Sequence, residues 1–126
     1  MADKFQRSMS ILPGFVDGQM PSARVFNAYF QAIDSALGKV IDSMLNAGGE
    51  VLVVADHGNC EEMFDYKSQQ VHTQHTTNMV PCLYVGRKAQ IRSGGSLQDV
   101  APTLLAMAGI DKPLEMTGSN LIKFMV

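Results

Sequence analysis

The stretch EVLVVADHG, residues 50–58, decides the fold class. Val51 to Val54 are four consecutive apolar residues, with Gly48-Gly49 before them and Gly58 after. Such a run reads as a strand covered on both faces, as in a parallel sheet. Asp56 and His57 follow at its carboxyl end, where open α/β sheets gather their ligands. Gly58 lets the backbone turn sharply there. Upstream, apolar residues at 26, 30, 33, 37, 40 and 44 recur at steps of three or four. That spacing predicts an amphipathic helix over 22–46, with Ser22 as N-cap and Gly48 as stop. Downstream, VPCLYV (80–85) reads as a second strand, and residues 87–95 as a polar loop. Leu97 to Ala108 reads as a second helix, with Pro102 near its first turn and Gly109 at its end. Residues 58–71 are long enough for a crossover or a hairpin. Residues 1–21 hold Pro13, Gly14, Gly18 and Pro21 and show no sustained period, so they read as an irregular segment. The element order predicts an α/β class, with a Rossmann-like, mainly parallel sheet and helices packed on it.

Composition narrows the function. The 126 residues suit one domain, and 46% hydrophobic with 17% charged residues is a folding composition. A net charge of −2 argues against a dedicated nucleic-acid binder. No apolar run reaches the length of a membrane span. Cys60 and Cys82 are too few for a disulfide framework. A cytoplasmic location is the expectation.

All three histidines lie between residues 57 and 75. Asp56, His57, His72 and His75 are donors that suit Zn²⁺ or Mn²⁺. Equally, Asp-His-Gly after a strand reads as a turn in which the aspartate accepts backbone N–H bonds. Glu61 and Glu62 read as a solvated turn or cap. Arg87, Lys88 and Arg92 read as a solvated basic loop, with phosphate binding as the other option.

Three longer stretches carry a family resemblance: VVADHGNCEEM (53–63), VHTQHTTNMVPCLYVG (71–86) and GGSLQDVAPTLLAMAGIDKPLEMTGSNLI (94–122). In this order they resemble the C-terminal part of the metalloenzyme domain of cofactor-independent phosphoglycerate mutases, within the alkaline phosphatase superfamily. The pattern around Asp99-Val100-Ala101-Pro102-Thr103 is shared across that superfamily. His72-Thr73-Gln74-His75-Thr76-Thr77-Asn78 and Glu115-Met116-Thr117-Gly118 point to the mutase. The resemblance implies a partial alkaline-phosphatase-like domain over 22–126. It implies interconversion of 3- and 2-phosphoglycerate in glycolysis, by a serine nucleophile and two metal ions, usually manganese. It assigns Asp56 and His57 to one ion and His75 to the other, with His72 outside the ligand set.

The departures set further expectations. Phe15 and Gln19 stand where the family has a ligand aspartate and a ligand histidine. Gly18 matches, and Asp17 is displaced by two positions from the expected aspartate. The serine segment has no counterpart here. Weak or absent Mn²⁺ and Zn²⁺ binding, no catalytic residue and no activity of the chain alone are therefore expected. An uncovered strand edge or helix face predicts a homo-oligomer, or a partner chain over that edge. The alternative reading is a non-catalytic, shortened paralogue that serves as an oligomerising or interaction module.

Overall fold

The computed structural model describes residues 23–72 and 74–125. The irregular N-terminal segment, Ser22 and the Phe15 to Gln19 stretch lie outside the described residues. The elements in order are α1 (Ala23–Asn46), β1 (Val51–Val54), β2 (Phe64–Asp65), β3 (Gln70–Val71), β4 (Cys82–Val85) and β5 (Ala89–Ile91). A 3₁₀ turn (Leu97–Asp99), α2 (Val100–Met107) and β6 (Ile122–Phe124) follow. β1 and β4 are hydrogen-bonded neighbours. The chain forms two compact units, one of residues 1–43 and 53–83, the other of 44–52 and 84–126.

In the first unit, α1 is helical because its apolar residues recur with the helix period and no proline interrupts them. Ile41 is buried, and Phe30, Ile33 and Leu37 are half-buried. Val40, which the wide predicted stripe included, is 56% exposed. The working stripe is thus 30–33–37–41. Downstream of β1, strands β2 and β3 form an antiparallel hairpin, with Phe64 opposite Val71 and Asp65 opposite Gln70. The Asp65 carboxylate closes its turn by accepting from Lys67 N–H at 2.8 Å and Ser68 Oγ at 2.7 Å.

In the second unit, Gly48 (φ 75°) ends α1, and Gly49 N–H donates to the Met44 carbonyl at 2.8 Å. β5 and β6 pair antiparallel, with Gln90 opposite Lys123, and α2 lies against β6. The core holds Leu121, Ile122 and fully enclosed Thr103. Thr103 Oγ1 donates to the Asp99 carbonyl at 2.6 Å and accepts from Leu121 N–H at 3.0 Å. Pro102 sits at the third position of α2, inside the first turn, where its missing N–H leaves no bond unmade.

The α/β character holds; the two ladders of stated direction, β2–β3 and β5–β6, are antiparallel, and neither is made of the two strands expected to be parallel. The physical reason at β2 and β3 is length. Only residues 66–69 join them, whereas parallel neighbours need a crossover of roughly a dozen residues or more. The predicted loop at 87–95 also conceals β5. Its three residues are too short for a period to declare itself.

Arg87, in the turn between β4 and β5, is 59% exposed as the sequence suggests, yet it is not free. Its Nε donates to Glu50 Oε1 at 2.7 Å and its Nη2 to Glu50 Oε2 at 2.9 Å. Nη2 also donates to the Met107 carbonyl at the end of α2, and the guanidinium lies 4.1 Å from the Phe124 ring centre. The Arg87 guanidinium holds the Glu50 carboxyl at about 2, against an ordinary value of 4.5; burial opposes this, and the Tyr84 hydroxyl adds to it. A carboxyl lowered on folding contributes stability above its unfolded value, and that contribution is lost as pH falls through the folded one. The urea midpoint is therefore expected to fall between about pH 5 and pH 2. Glu50→Gln should flatten that slope while lowering the neutral-pH midpoint, and an unchanged slope would remove Glu50 from the account.

Candidate functional site

The site belongs to the first unit and is built on the turn after β1. Asp56 is two residues beyond the strand, with its side chain 77% exposed, and His57 follows at 36%. His57 Nε2 lies 3.5 Å from Asp56 Oδ1. His57 Nδ1 faces the Gly58 carbonyl at 3.1 Å. A carbonyl only accepts, so Nδ1 carries a proton. A backbone carbonyl fixing one ring nitrogen is the usual support for a ligating histidine.

The second arm is the loop before β4. Thr76 N–H donates to the Gly58 carbonyl at 2.8 Å, making an isolated antiparallel bridge. This brings the His75 ring to 3.6 Å, centre to centre, from the His57 ring, with the planes tilted by 33°. Buried Asn59 holds His75 from behind: its Nδ2 donates to the Gln74 carbonyl at 3.3 Å and to His75 Nδ1 at 3.4 Å. An amide NH₂ only donates, so Nδ1 accepts there and Nε2 carries the proton in this arrangement; a metal would reach His75 through Nε2 only with that proton displaced to Nδ1 and the Asn59 amide turned to accept it. His72 goes elsewhere. Its Nδ1 bonds the Glu62 carbonyl at 3.0 Å and its N–H the Met63 carbonyl at 2.9 Å, which places it in the hairpin.

Glu61 links the two arms. Oε2 accepts from Asn59 N–H at 2.7 Å; Oε1 accepts from the Thr76 hydroxyl and from Asn78 Nδ2, the latter at 3.1 Å. Burial pushes this carboxyl up, but the bonds from Thr76, Asn59 and Asn78 outweigh it and hold it below the ordinary carboxylate range. A Cβ at Gly58 would meet Thr76 Oγ1 and the Glu61 carboxylate, so a side chain there would push apart the two groups that bond at this crossing.

The donor set can be tested against a metal ion. Bonds of about 2.0–2.1 Å at tetrahedral angles separate neighbouring donors by about 3.4 Å. The Asp56 Oδ1 to His57 Nε2 distance of 3.5 Å fits one edge of such a site. Among the described residues, no group of three His, Cys, Asp or Glu side chains could hold an ion. The pair fits one edge, therefore, without a complete shell.

Known proteins carry the same arrangement of sequence. Residues 23–112 match the family described as the Metalloenzyme superfamily. The chain belongs to the Metalloenzyme superfamily. It is 52% identical over 119 residues to a 2,3-bisphosphoglycerate-independent phosphoglycerate mutase of Chromobacterium violaceum, covering 91% of this chain and 24% of that protein. A mutase of the same description from Psychrobacter arcticus is 56% identical over 102 residues, covering 78% of this chain and 18% of that protein. The fold resembles crystalline Leishmania mexicana phosphoglycerate mutase, solved at low cobalt concentration, with a TM-score of 0.63 and 27% identity. That match covers 76% of this chain and 21% of the other. The chain thus spans a quarter or less of the relatives it matches.

Asp56, His57 and His75, picked out from the sequence, stand together. Asn59, Glu61, Thr76 and Asn78 did not emerge from it as site residues. The available signal was two polar stretches, Asn59 to Glu62 and Gln74 to Asn78, flanking a short hairpin. Such stretches usually mean solvated loops, and only their pairing shows otherwise.

Proposed function

We propose that this chain is the metal-binding C-terminal portion, residues 22–126, of a phosphoglycerate mutase-type enzyme acting between 3- and 2-phosphoglycerate in glycolysis. The observation that carries the reading is the Asp56–His57 edge, with Nδ1 of His57 committed to a carbonyl and His75 stacked beside it. Asp56 and His57 would hold one ion and His75 would belong to the other, manganese being the ion implied by the family resemblance. Bound there, the ions supply positive charge against a transferring phosphoryl group and lower the pKa of a hydroxyl nucleophile. What the chain's own residues do is hold donors in place: Gly58 O holds Nδ1–H of His57, and Asn59 fixes the His75 ring. We further propose that β1 and β4 belong to a mainly parallel, alkaline-phosphatase-like sheet in the longer protein, and that this protein is cytoplasmic. Among the described residues no helix is long and apolar enough to cross a membrane.

The test is a Mn²⁺ titration followed by proton NMR of the histidine rings and by calorimetry. Weak, saturable broadening of His57 and His75, removed by His57→Ala and abolished on dialysis against a chelator, is the expected result. No broadening of either ring at millimolar Mn²⁺ would sink the reading. Metal retained stoichiometrically after chelation would mean a completed shell, with Asp17 the first residue to examine.

A second reading has its own support. Leu104, Ile110 and Leu114 in the second unit are 47%, 58% and 99% exposed. Apolar surface of this kind marks association sites when it is contiguous. A chain that takes up no Mn²⁺ and runs as a dimer by light scattering would favour a non-catalytic oligomerising module.

A further inference from the structure

We infer that Glu61 is a positioning residue, whose carboxylate sets the spacing between His57 and His75. The inference deepens the metal-binding reading, on which its affinity arm rests.

The turn at 58–62 and the loop at 74–78 are far apart in sequence and come together through three kinds of bond. The Thr76 N–H to Gly58 carbonyl bond is a backbone link. The Asn59 amide bonds, at 3.3 and 3.4 Å, are long. Carboxylates supply the charged bonds, which are about twice as strong as neutral ones: Glu62 Oε2 accepts from Asn78 Nδ2 at a long 3.4 Å, and the larger share falls to Glu61. It takes one donor from the His57 turn, Asn59 N–H, and two from the His75 loop, the Thr76 hydroxyl and the Asn78 amide.

Its placement relative to the rings makes it more than a general brace. His57 immediately precedes Gly58, and His75 immediately precedes Thr76. Gly58 and Thr76 are the bridged pair, and the Glu61 carboxylate lies against both of them. On the His75 side the carboxylate bonds the very next residue, Thr76, and on the His57 side it bonds Asn59 N–H, two residues on. With three donors on its two oxygens, Glu61 is also poorly placed to act as a further ligand. Its role is to hold the loop that carries one ring against the turn that carries the other.

The experiment compares wild type, Glu61→Gln and Glu61→Ala without metal. It reads the nuclear Overhauser effect between the His57 and His75 ring protons. Hydrogen exchange at Ile41 N–H, inside α1 and at a buried residue of the same unit as Glu61, reports whether that unit is folded. Disappearance of the ring–ring Overhauser effect in Glu61→Ala, with Ile41 still protected, is the expected result. Glu61→Gln keeps one acceptor oxygen but opposes a donor with its NH₂, so a weakened effect is expected. An Overhauser effect unchanged in Glu61→Ala overturns the inference. If Ile41 exchanges freely in the alanine variant, Glu61→Gln decides: a weakened effect supports the inference and an unchanged one overturns it.

The second arm measures Mn²⁺ affinity, expected to fall by about 10–100-fold in Glu61→Ala, the usual effect of removing a group that supports a ligand. If the two rings separate in the variant while even wild type takes up no Mn²⁺, Glu61 keeps its role and the metal is rejected. Equal Mn²⁺ uptake by both, with the rings still stacked in the variant, does the reverse.

Discussion

Supplied with 3-phosphoglycerate, Mn²⁺ or Co²⁺ and enolase as the coupling enzyme, this chain alone is expected to give no turnover above background. Phosphoryl transfer needs positive charge on both the entering and leaving sides, together with an activated nucleophile. The described residues provide one two-donor edge and one adjacent imidazole, and no group of three that could hold an ion. Arg87, one of the three cations at 87–92 that the sequence offers to a phosphate, is committed to both oxygens of Glu50 and to the Met107 carbonyl. Lys112 Nζ donates to the Met116 carbonyl. Loss of one electrostatic element from such a site costs on the order of a hundredfold or more in rate. Elements that act as a unit do not leave proportional remainders when several are missing. The chain also spans only 24% and 18% of two mutases to which it is more than half identical. Turnover that disappears on His57→Ala would overturn the expectation and make the chain a catalyst by itself.

The parts of this molecule that could be read from its sequence are those whose physics is local. The α1 stripe repeats within one helix, so its period shows through even though Val40 proves exposed. The β1 run is apolar enough to announce itself, and the glycine after Asp56 and His57 announces a turn. Donor chemistry placed Asp56, His57, His72 and His75 among the candidates, and only the family resemblance set His72 apart. Glu61 could not be found this way, because its partners Thr76 and Asn78 lie 15 and 17 positions away, across a hairpin. A pair of glutamates in a polar turn looks the same whether it faces water or clamps another loop. The parallel sheet was expected from an apolar run that suits a strand buried by any means, so the run carried no information about strand direction. Hairpin strands of two residues are below the length at which alternation can be seen at all.

Gly118→Ala is expected to be the most damaging single-methyl change in the second unit. The motif Glu115-Met116-Thr117-Gly118 looked like a family mark, and the structure gives its last residue a mechanical reason. A Cβ at buried Gly118 would overlap the Gln98 carbonyl oxygen, lie 2.6 Å from the carbonyl carbon and 3.1 Å from Asp99 N. The obstacle is the backbone of the 3₁₀ turn, which cannot rotate aside as a side chain would. That close approach lets Ser119 N–H donate to Asp99 Oδ1 at 2.6 Å, while Ser96 N–H donates to Oδ2 at 2.8 Å. Those two N–H groups hold the Asp99 carboxyl below its ordinary range. Pushing the 118–121 segment outward also strains Leu121 N–H on Thr103 Oγ1 at 3.0 Å and Arg92 N–H on the Leu121 carbonyl at 2.8 Å. Overpacking costs about 1–3 kcal/mol, and a rigid obstacle places this site near about 3 kcal/mol. For a chain of this size that lowers the melting temperature by about 10 °C. Gly38→Ala is the internal control: it adds the same methyl in the interior of α1 with nothing within 4 Å. It should stabilise by about 0.5–1 kcal/mol through helix propensity. Carbon-13 titration of the Asp99 carboxyl reads the local event, since its pKa should rise toward the ordinary value only in Gly118→Ala. A variant that melts with wild type and leaves that pKa unmoved would show that the segment can yield, and that the glycine is not there for the close approach.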